Sequence, residues 1–393
     1  MDVQCQMQHN CTSVPCSVPG SPLKMWNTVE PFFVSHSRNF NKMSRRDEDS
    51  ARPRFRGFLT PLLVLMLSLP AVIHGQEKMV LVATGSSMPE PLYKNWIEAF
   101  HKQQPSTDIR YMAVGTAEST RDILAASGDL GGGDAPIPEA QLRIAGKSIL
   151  ELPAILIGIV VIYDLPDVKG QLKLSGPVVA DIFLGRIKLW SDPAIAKLNP
   201  DMKFPDLAIQ VLHRNEGKGS NYILSDYLAK VSPEFLAAAG RGESPKWPIG
   251  MSFQRSQDLM AKLRSTPGAI GYTELNLAVS SGVRMASIKN TAGEFVKPSA
   301  QSIAAAASAS RNKMSNDFRV SLTNASGKES YPISSFTWVY VPAAAKDPER
   351  GRAVASYLKW IYTSGQKIAQ EQGYANLPED VLEKVLAKSA TIH

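Results

Sequence analysis

Along residues 76–393 the apolar positions alternate between strand-like runs and helix-like spacing. Met79-Val-Leu-Val-Ala83 reads as a strand, and the small polar turn Thr84-Gly-Ser-Ser87 follows it. Between residues 89 and 102 the apolar side chains Leu92, Trp96, Ile97 and Phe100 fall at helical spacing, which predicts a helix. Residues 108–114 predict a second strand, Gly115-Thr116 a turn, and residues 119–127 a second helix. Residues 130–136 are a short strand or loop. The run at 154–164, AILIGIVVIYD, is too short to span a membrane and suits a buried strand pair. Further helices are predicted at 181–189, 220–229 and 257–263, with strands at 208–213 and 336–341. The Ala-rich stretch 303–313 reads as a surface helix or loop, and 352–366 and 378–388 as closing helices. Each of the first two strands ends in a small-residue turn that opens a helix. That is α/β organisation, in which ligands sit beyond the carboxyl ends of strands. No internal repeat and no Gly/Ser linker interrupts it.

The front of the chain follows another pattern. Residues 45–56, RRDEDSARPRFR, precede an apolar run from Gly57 to Ile73 that Pro61 and Pro70 interrupt. A basic flank and an apolar run of this length predict a secretory signal over 43–75, with Ala71 and Gly75 as candidate cleavage positions. An uncleaved anchor is the alternative. No cysteine follows the run, so lipid attachment there is excluded. Residues 1–42 have no periodicity and read as an extension from a start codon placed too early.

Composition then narrows the chemistry. Of 393 residues, 44% are hydrophobic and 20% charged, a globular balance. The formal net charge is +7, but residues 76–393 hold only 35 basic against 31 acidic side chains. Nothing there implies a nucleic-acid surface. All three cysteines (Cys5, Cys11 and Cys16) precede residue 17, so the body has no thiolate nucleophile, disulfide or Cys-ligated metal. The spacing of those three matches no standard zinc site. Only His101, His213 and His393 follow residue 75, which disfavours a His-rich metal site.

Four segments share one chemistry: Gly85-Ser86-Ser87, Gly115-Thr116, Gly133-Asp134 and Arg214-Asn-Glu-Gly-Lys-Gly-Ser220. Hydroxyls and free N–H groups at helix starts hold anions, and a guanidinium adds paired hydrogen bonds. Taken singly, each Ser or Thr is an ordinary N-cap. Gly217-Lys-Gly-Ser220 fails the nucleotide-binding P-loop pattern, since Gly219 follows Lys218 and Leu212 stands where the first glycine belongs. Ser310-Arg-Asn-Lys313 matches the Ser-x-x-Lys of acyl-serine enzymes without the partner motifs.

Several ordered stretches carry a resemblance. They are Pro89-Glu-Pro-Leu-Tyr-Lys-Asn-Trp96, Asp134-Ala-Pro136, Asp181-Ile-Phe-Leu-Gly-Arg-Ile-Lys188, WSDPAIAKLNP at 190–200, Lys246-Trp-Pro-Ile-Gly250 and Pro267-Gly-Ala-Ile-Gly-Tyr272. Through them residues 81–386 resemble the phosphate-binding proteins of bacterial high-affinity phosphate ABC transporters. The resemblance implies a two-lobed periplasmic binding protein fold of type 2, with a ligand cleft between lobes and a two-strand hinge. One lobe would hold 76–155 plus 338–393, the other 158–334.

By position, the resemblance places phosphate contacts on the Ser87 hydroxyl, the Met88 N–H, Thr116, the discriminating carboxylate Asp134, Arg214, Lys218, Gly219 and Ser220. Glu216 and Gly217 would support them, Glu216 by holding Arg214. Lys218 stands where the family has serine; it either strengthens anion binding or points to solvent. Phosphate near neutral pH has a proton to give and sulfate has none. A buried Asp134 carboxylate can therefore accept from phosphate but would face a fully ionised anion charge to charge. The bland alternatives are a turn-forming Asp134 and a surface Glu216.

The implied function is capture of inorganic phosphate outside the cytoplasm, in the periplasm, and delivery to an inner-membrane phosphate ABC permease. No cofactor, catalytic step or nucleic acid is expected, and a monomer is. A non-transport phosphate sensor, or a binding protein for another oxyanion such as arsenate, is the alternative. An extracytoplasmic phosphoesterase would need a metal cluster or activated serine that the sequence lacks.

Overall fold

The computed structural model describes residues 78–345 and 347–392. The signal segment, the extension before it and its three cysteines lie outside the described residues. The chain opens with β1 (Met79–Gly85), α1 (Glu90–Gln103), β2 (Thr107–Ala113), α2 (Thr116–Ala125) and β3 (Gly131–Gly133). β1 and β2 pair in parallel, Met79 with Thr107 through Gly85 with Ala113. Leu130 accepts from the Thr84 N–H at 3.1 Å and brings β3 alongside β1. α1 buries Leu92, Tyr93, Trp96 and Phe100, and burying a side chain such as Phe100 contributes about 1.5–3 kcal/mol.

β4 (Ile149–Tyr163) is buried from Glu151 onward. The expected strand pair at 154–164 is therefore one fifteen-residue strand, already begun at Ile149. Both its faces are covered, so its sequence shows no alternation. Gly158 lets a helix approach closely, because a Cβ there would lie 2.4 Å from Ile303 Cδ1. α3 (Gly176–Phe183) corrects the helix expected at 181–189. It starts earlier, behind Ser175 and Pro177, and is over before Gly185, whose φ of +73° is left-handed.

The second half is built from β5 (Gln210–Arg214), α4 (Gly219–Val231), β6 (Met251–Phe253), α5 (Ser256–Arg264), β7 (Ala269–Glu274), α6 (Ala300–Ala309) and β8 (Ser334–Pro342). α6 is the Ala-rich stretch expected at the surface. Instead Ile303, Ala306 and Ala307 are buried, and the small alanines let the helix lie close to the sheet. The strand order is β3-β8-β4-β7-β5-β6. Ile149 to Gly158 of β4 pair antiparallel with β8, and Ile159 to Tyr163 pair antiparallel with β7. One strand thus pairs with β8 along its first part and with β7 along its last. α7 (Pro348–Trp360) runs through a wider turn at Ile361–Gly365 before the chain closes with α8 (Glu379–Ser389). Gly365 sits in that turn, where its carbonyl accepts from Trp96 Nε1 at 2.7 Å.

Candidate functional site

The anion-binding chemistry read from the sequence converges where the C-terminal ends of β1, β3 and β5 meet the starts of α2 and α4. Gly115 takes a φ of +107° that few other residues adopt, and this aims the start of α2 back at β3. Thr116, fully buried, accepts from the Asp134 N–H at 3.2 Å, and its hydroxyl donates to Asp134 Oδ2 at 3.3 Å. Ser119, one turn on, donates to the Thr84 carbonyl at 2.8 Å and accepts from the Gly132 N–H at 2.9 Å. These bonds fix the strand ends that carry the site.

Asp134 is completely buried, and burial pushes its carboxyl up from 3.8 to about 7, against hydrogen bonds from Ser86 and Thr116 that favour the ionised form. Its Oδ1 is buried without a hydrogen-bond partner among the described residues, and so is Ser220 Oγ. A buried acceptor and a buried hydroxyl left unpaired are costly. They suit a small ligand that brings both a donor and an acceptor.

The end of β5 and the turn after it supply the cations. Arg214, 1% exposed, ends β5. Its guanidinium donates to the Gln254 carbonyl at 2.8 Å, to the Phe253 carbonyl at 3.3 Å and to Ser256 Oγ. Ser256 in turn donates to Glu274 Oε2 at 3.0 Å. Burial lowers the Arg214 pKa, while Glu274 first and Asp134 further down support its charge. Arginine remains protonated under such a shift. Lys218 is buried too, and burial followed by the charge of Arg214 lowers its pKa. Of the two orientations left open by the sequence, the structure has the buried one.

The starts of α2 and α4 touch at this point. A Cβ on Gly219 would fall 2.2 Å from Asp134 Oδ2 and 2.7 Å from Thr116 Oγ1, so only glycine fits there. Ala117 N–H donates to the Gly217 carbonyl at 3.3 Å, and a Cβ on Gly115 would lie 3.2 Å from Lys218 Nζ. Two larger cavities, about 520 and 600 Å³, are lined by none of these residues.

One expectation needs revision. Glu216 is exposed, and no ion pair joins it to Arg214 among the described residues. It sits in the turn after β5 and faces away, while the Ser256–Glu274 relay holds the arginine. The Ser86 hydroxyl favours the ionised form of Asp134, and Ser87, expected on the anion, is half-buried. The Met88 N–H donates to Ser86 Oγ at 3.2 Å. Glu274 and Ser256 were missed. Glu274 sits at the carboxyl end of a strand, the position where α/β proteins place ligands, and that was the available signal. No group of three or more His, Cys, Asp or Glu side chains among the described residues could hold a metal ion. No described helix is long and apolar enough to cross a membrane.

A family model, the PBP superfamily domain, matches residues 72–364. The phosphate-binding protein PstS of Pasteurella multocida is 37% identical over 331 residues, covering 84% of this chain and 95% of its own. The protein of that name from Methanocaldococcus jannaschii is 33% identical over 337 residues, 80% of this chain and 86% of its own. Among solved structures, a high-affinity periplasmic phosphate-binding protein (PfluDING) bound with phosphate superposes with a TM-score of 0.62 at 18% identity, over 79% of this chain and 93% of its own. A putative phosphate ABC transporter substrate-binding protein from Clostridium perfringens, with bound phosphate, gives 0.55 at 17% identity, over 76% and 100%. These two structures share the fold.

Proposed function

Because the chain belongs to the phosphate-binding proteins of the PBP superfamily, we propose that it captures inorganic phosphate outside the cytoplasm and hands it to a phosphate ABC permease in the inner membrane. The observation that carries this reading is the buried Asp134 carboxylate. Its Oδ1 has no partner among the described residues, its Oδ2 lies beside Thr116 and the start of α4, and its charge acts on Arg214. A protonated oxyanion completes it by donating to Oδ1, while its other oxygens accept from Arg214, Ser220, Thr116, Ser87 and backbone N–H groups. A fully ionised anion leaves Asp134 unpaired. Discrimination of that kind is commonly on the order of 10⁴–10⁵-fold.

In this reading β4 and β8 are the hinge, at the point where β4 changes partner between Gly158 and Ile159. The lobes are 76–155 with 338–393, and 158–334, and closing brings Gly219 onto Asp134. The basic-then-apolar stretch at 43–75 is the export signal, and the periplasm is the working compartment. The exported protein acts as a monomer. It is a carrier and not an enzyme, in keeping with the naming of its relatives as phosphate-binding proteins.

Titration calorimetry on residues 76–393, stripped of ligand by unfolding and refolding, tests this. One-to-one phosphate binding that survives a large excess of sulfate is expected. A folded protein that binds no phosphate would overturn the proposal. Equal displacement by arsenate would extend the ligand class without touching the Asp134 argument.

A further inference from the structure

One buried ion pair outside the anion site joins the two lobes. Arg319 lies on the segment between α6 and β8, and its side chain is 17% exposed. Its Nε donates to Glu151 Oε1 at 2.9 Å, one guanidinium NH₂ donates to the same oxygen at 2.5 Å, and that group also reaches the Ile137 carbonyl. Glu151, with a side chain 4% exposed, accepts the Ile137 N–H on its other oxygen at 2.7 Å. Ile137 stands three residues after Asp134. On the far side, Ser321 and Thr323 tie the Arg319 segment to Asp226 and Lys230 of α4. α4 is the helix that presents Gly219 and Ser220 to Asp134. The pair therefore connects the backing of Asp134 to the backing of the opposing helix.

Its position gives it leverage. Glu151 lies eight residues before Ile159, where β4 changes partner, about 26 Å along a strand rising about 3.3 Å per residue. A pair so far from the crossing separates when the lobes part. We propose that Arg319 and Glu151 form a latch across the cleft, engaged in the closed form, which slows release of the bound anion. Arg319 is a positioning residue, since it acts through Ile137 and α4 and does not touch the anion. The proposal rests on the reading of the cleft as a closing phosphate site.

The test uses the full chain, expressed with its own leader and purified after export, as wild type, Arg319→Met, Arg319→Lys, Glu151→Gln and the double variant Arg319→Met/Glu151→Gln. Stopped-flow measurement of phosphate association and dissociation is the readout. Arg319→Met should speed dissociation about 10- to 100-fold, within the roughly 5- to 150-fold range of ordinary couplings, and leave association nearly unchanged. Lysine should restore part of the loss, and the double variant should release phosphate no faster than the worse single one. A static brace would lower the unfolding temperature and leave dissociation at the wild-type rate, and that result overturns the latch. Wild-type protein that binds no phosphate overturns the ligand reading instead. The latch is then read from X-ray scattering, where Arg319→Met should show a larger radius of gyration than wild type and an equal radius would refute it.

Discussion

Replacing Asp134 with asparagine should make the ligand-free protein more stable and a worse phosphate carrier. The native carboxyl sits at about 7 against an ordinary 3.8, with burial as the main cause. Because the folded pKa is the higher one, the stabilising contribution of this group is complete below about pH 3.8. It is lost as pH rises through about 7, where the folded chain must ionise a carboxylate that water had solvated. The gap of about three pKa units corresponds to a cost on the order of 4 kcal/mol at pH 8. The asparagine side chain keeps the shape and the Thr116 contact without the charge. Urea unfolding of both ligand-free proteins from pH 4 to pH 8 should show nearly equal stability at the acid end and an advantage of that order for the variant at pH 8. Phosphate at about a hundred times its Kd should return about 2.7 kcal/mol to the wild type, while the variant binds it weakly and no longer rejects sulfate. Parallel pH profiles, or a variant less stable at pH 8, would refute the assignment of Asp134 as a desolvated carboxylate kept for the ligand.

The neighbouring serines separate by assay. Ser86→Ala removes a hydroxyl bonded to Asp134, so it should push the pH midpoint of stability further up. Ser87→Ala should leave that profile in place and weaken phosphate binding by about 1.5–3 kcal/mol, the worth of one hydrogen bond to a charged group, read by calorimetry. Gly219→Ala puts a methyl 2.2 Å from Asp134 Oδ2. It should cost about 1–3 kcal/mol in phosphate affinity through overpacking of the closed form, with a larger radius of gyration in scattering when phosphate is present. Lys218→Ser removes a buried ammonium beside Arg214. It should lower phosphate affinity about tenfold, a loss of about 1.4 kcal/mol, and flatten the salt dependence of association.

What the sequence made legible follows from how local each cause is. α1 and α4 show in the spacing of their own apolar residues, so the expected bounds for both lie within two residues of the observed ones. β4 was legible as buried but not as single, because a strand covered on both faces has no alternation by which to count it. The helix expected at 181–189 failed for a local reason that was available. Gly185 lies inside it and takes a positive φ. α6 failed for a distant one, since alanine carries no hydrophobic signature strong enough to announce burial against Gly158 and β4.

The same division runs through the site. Thr116 and Asp134 are each set by their own strand-to-helix or Gly-rich turn, and turns are written in local residues. Arg214 was legible as well, but its partner was not. Two residues away in sequence, Glu216 was the natural candidate, yet the turn after β5 sends that side chain outward. The charge that supports Arg214 comes instead from Glu274, sixty positions on, through Ser256. A buried guanidinium needs a counter-charge within reach, but nothing in the spacing along the chain says which strand end will provide it. Sequence reasoning can therefore state the need for such a partner, and here it supplied the wrong name. A buried cation should be assigned its partner from among the strand ends of its own sheet before its neighbours in the chain, and in this sheet β7, beside β5, delivers one with Glu274.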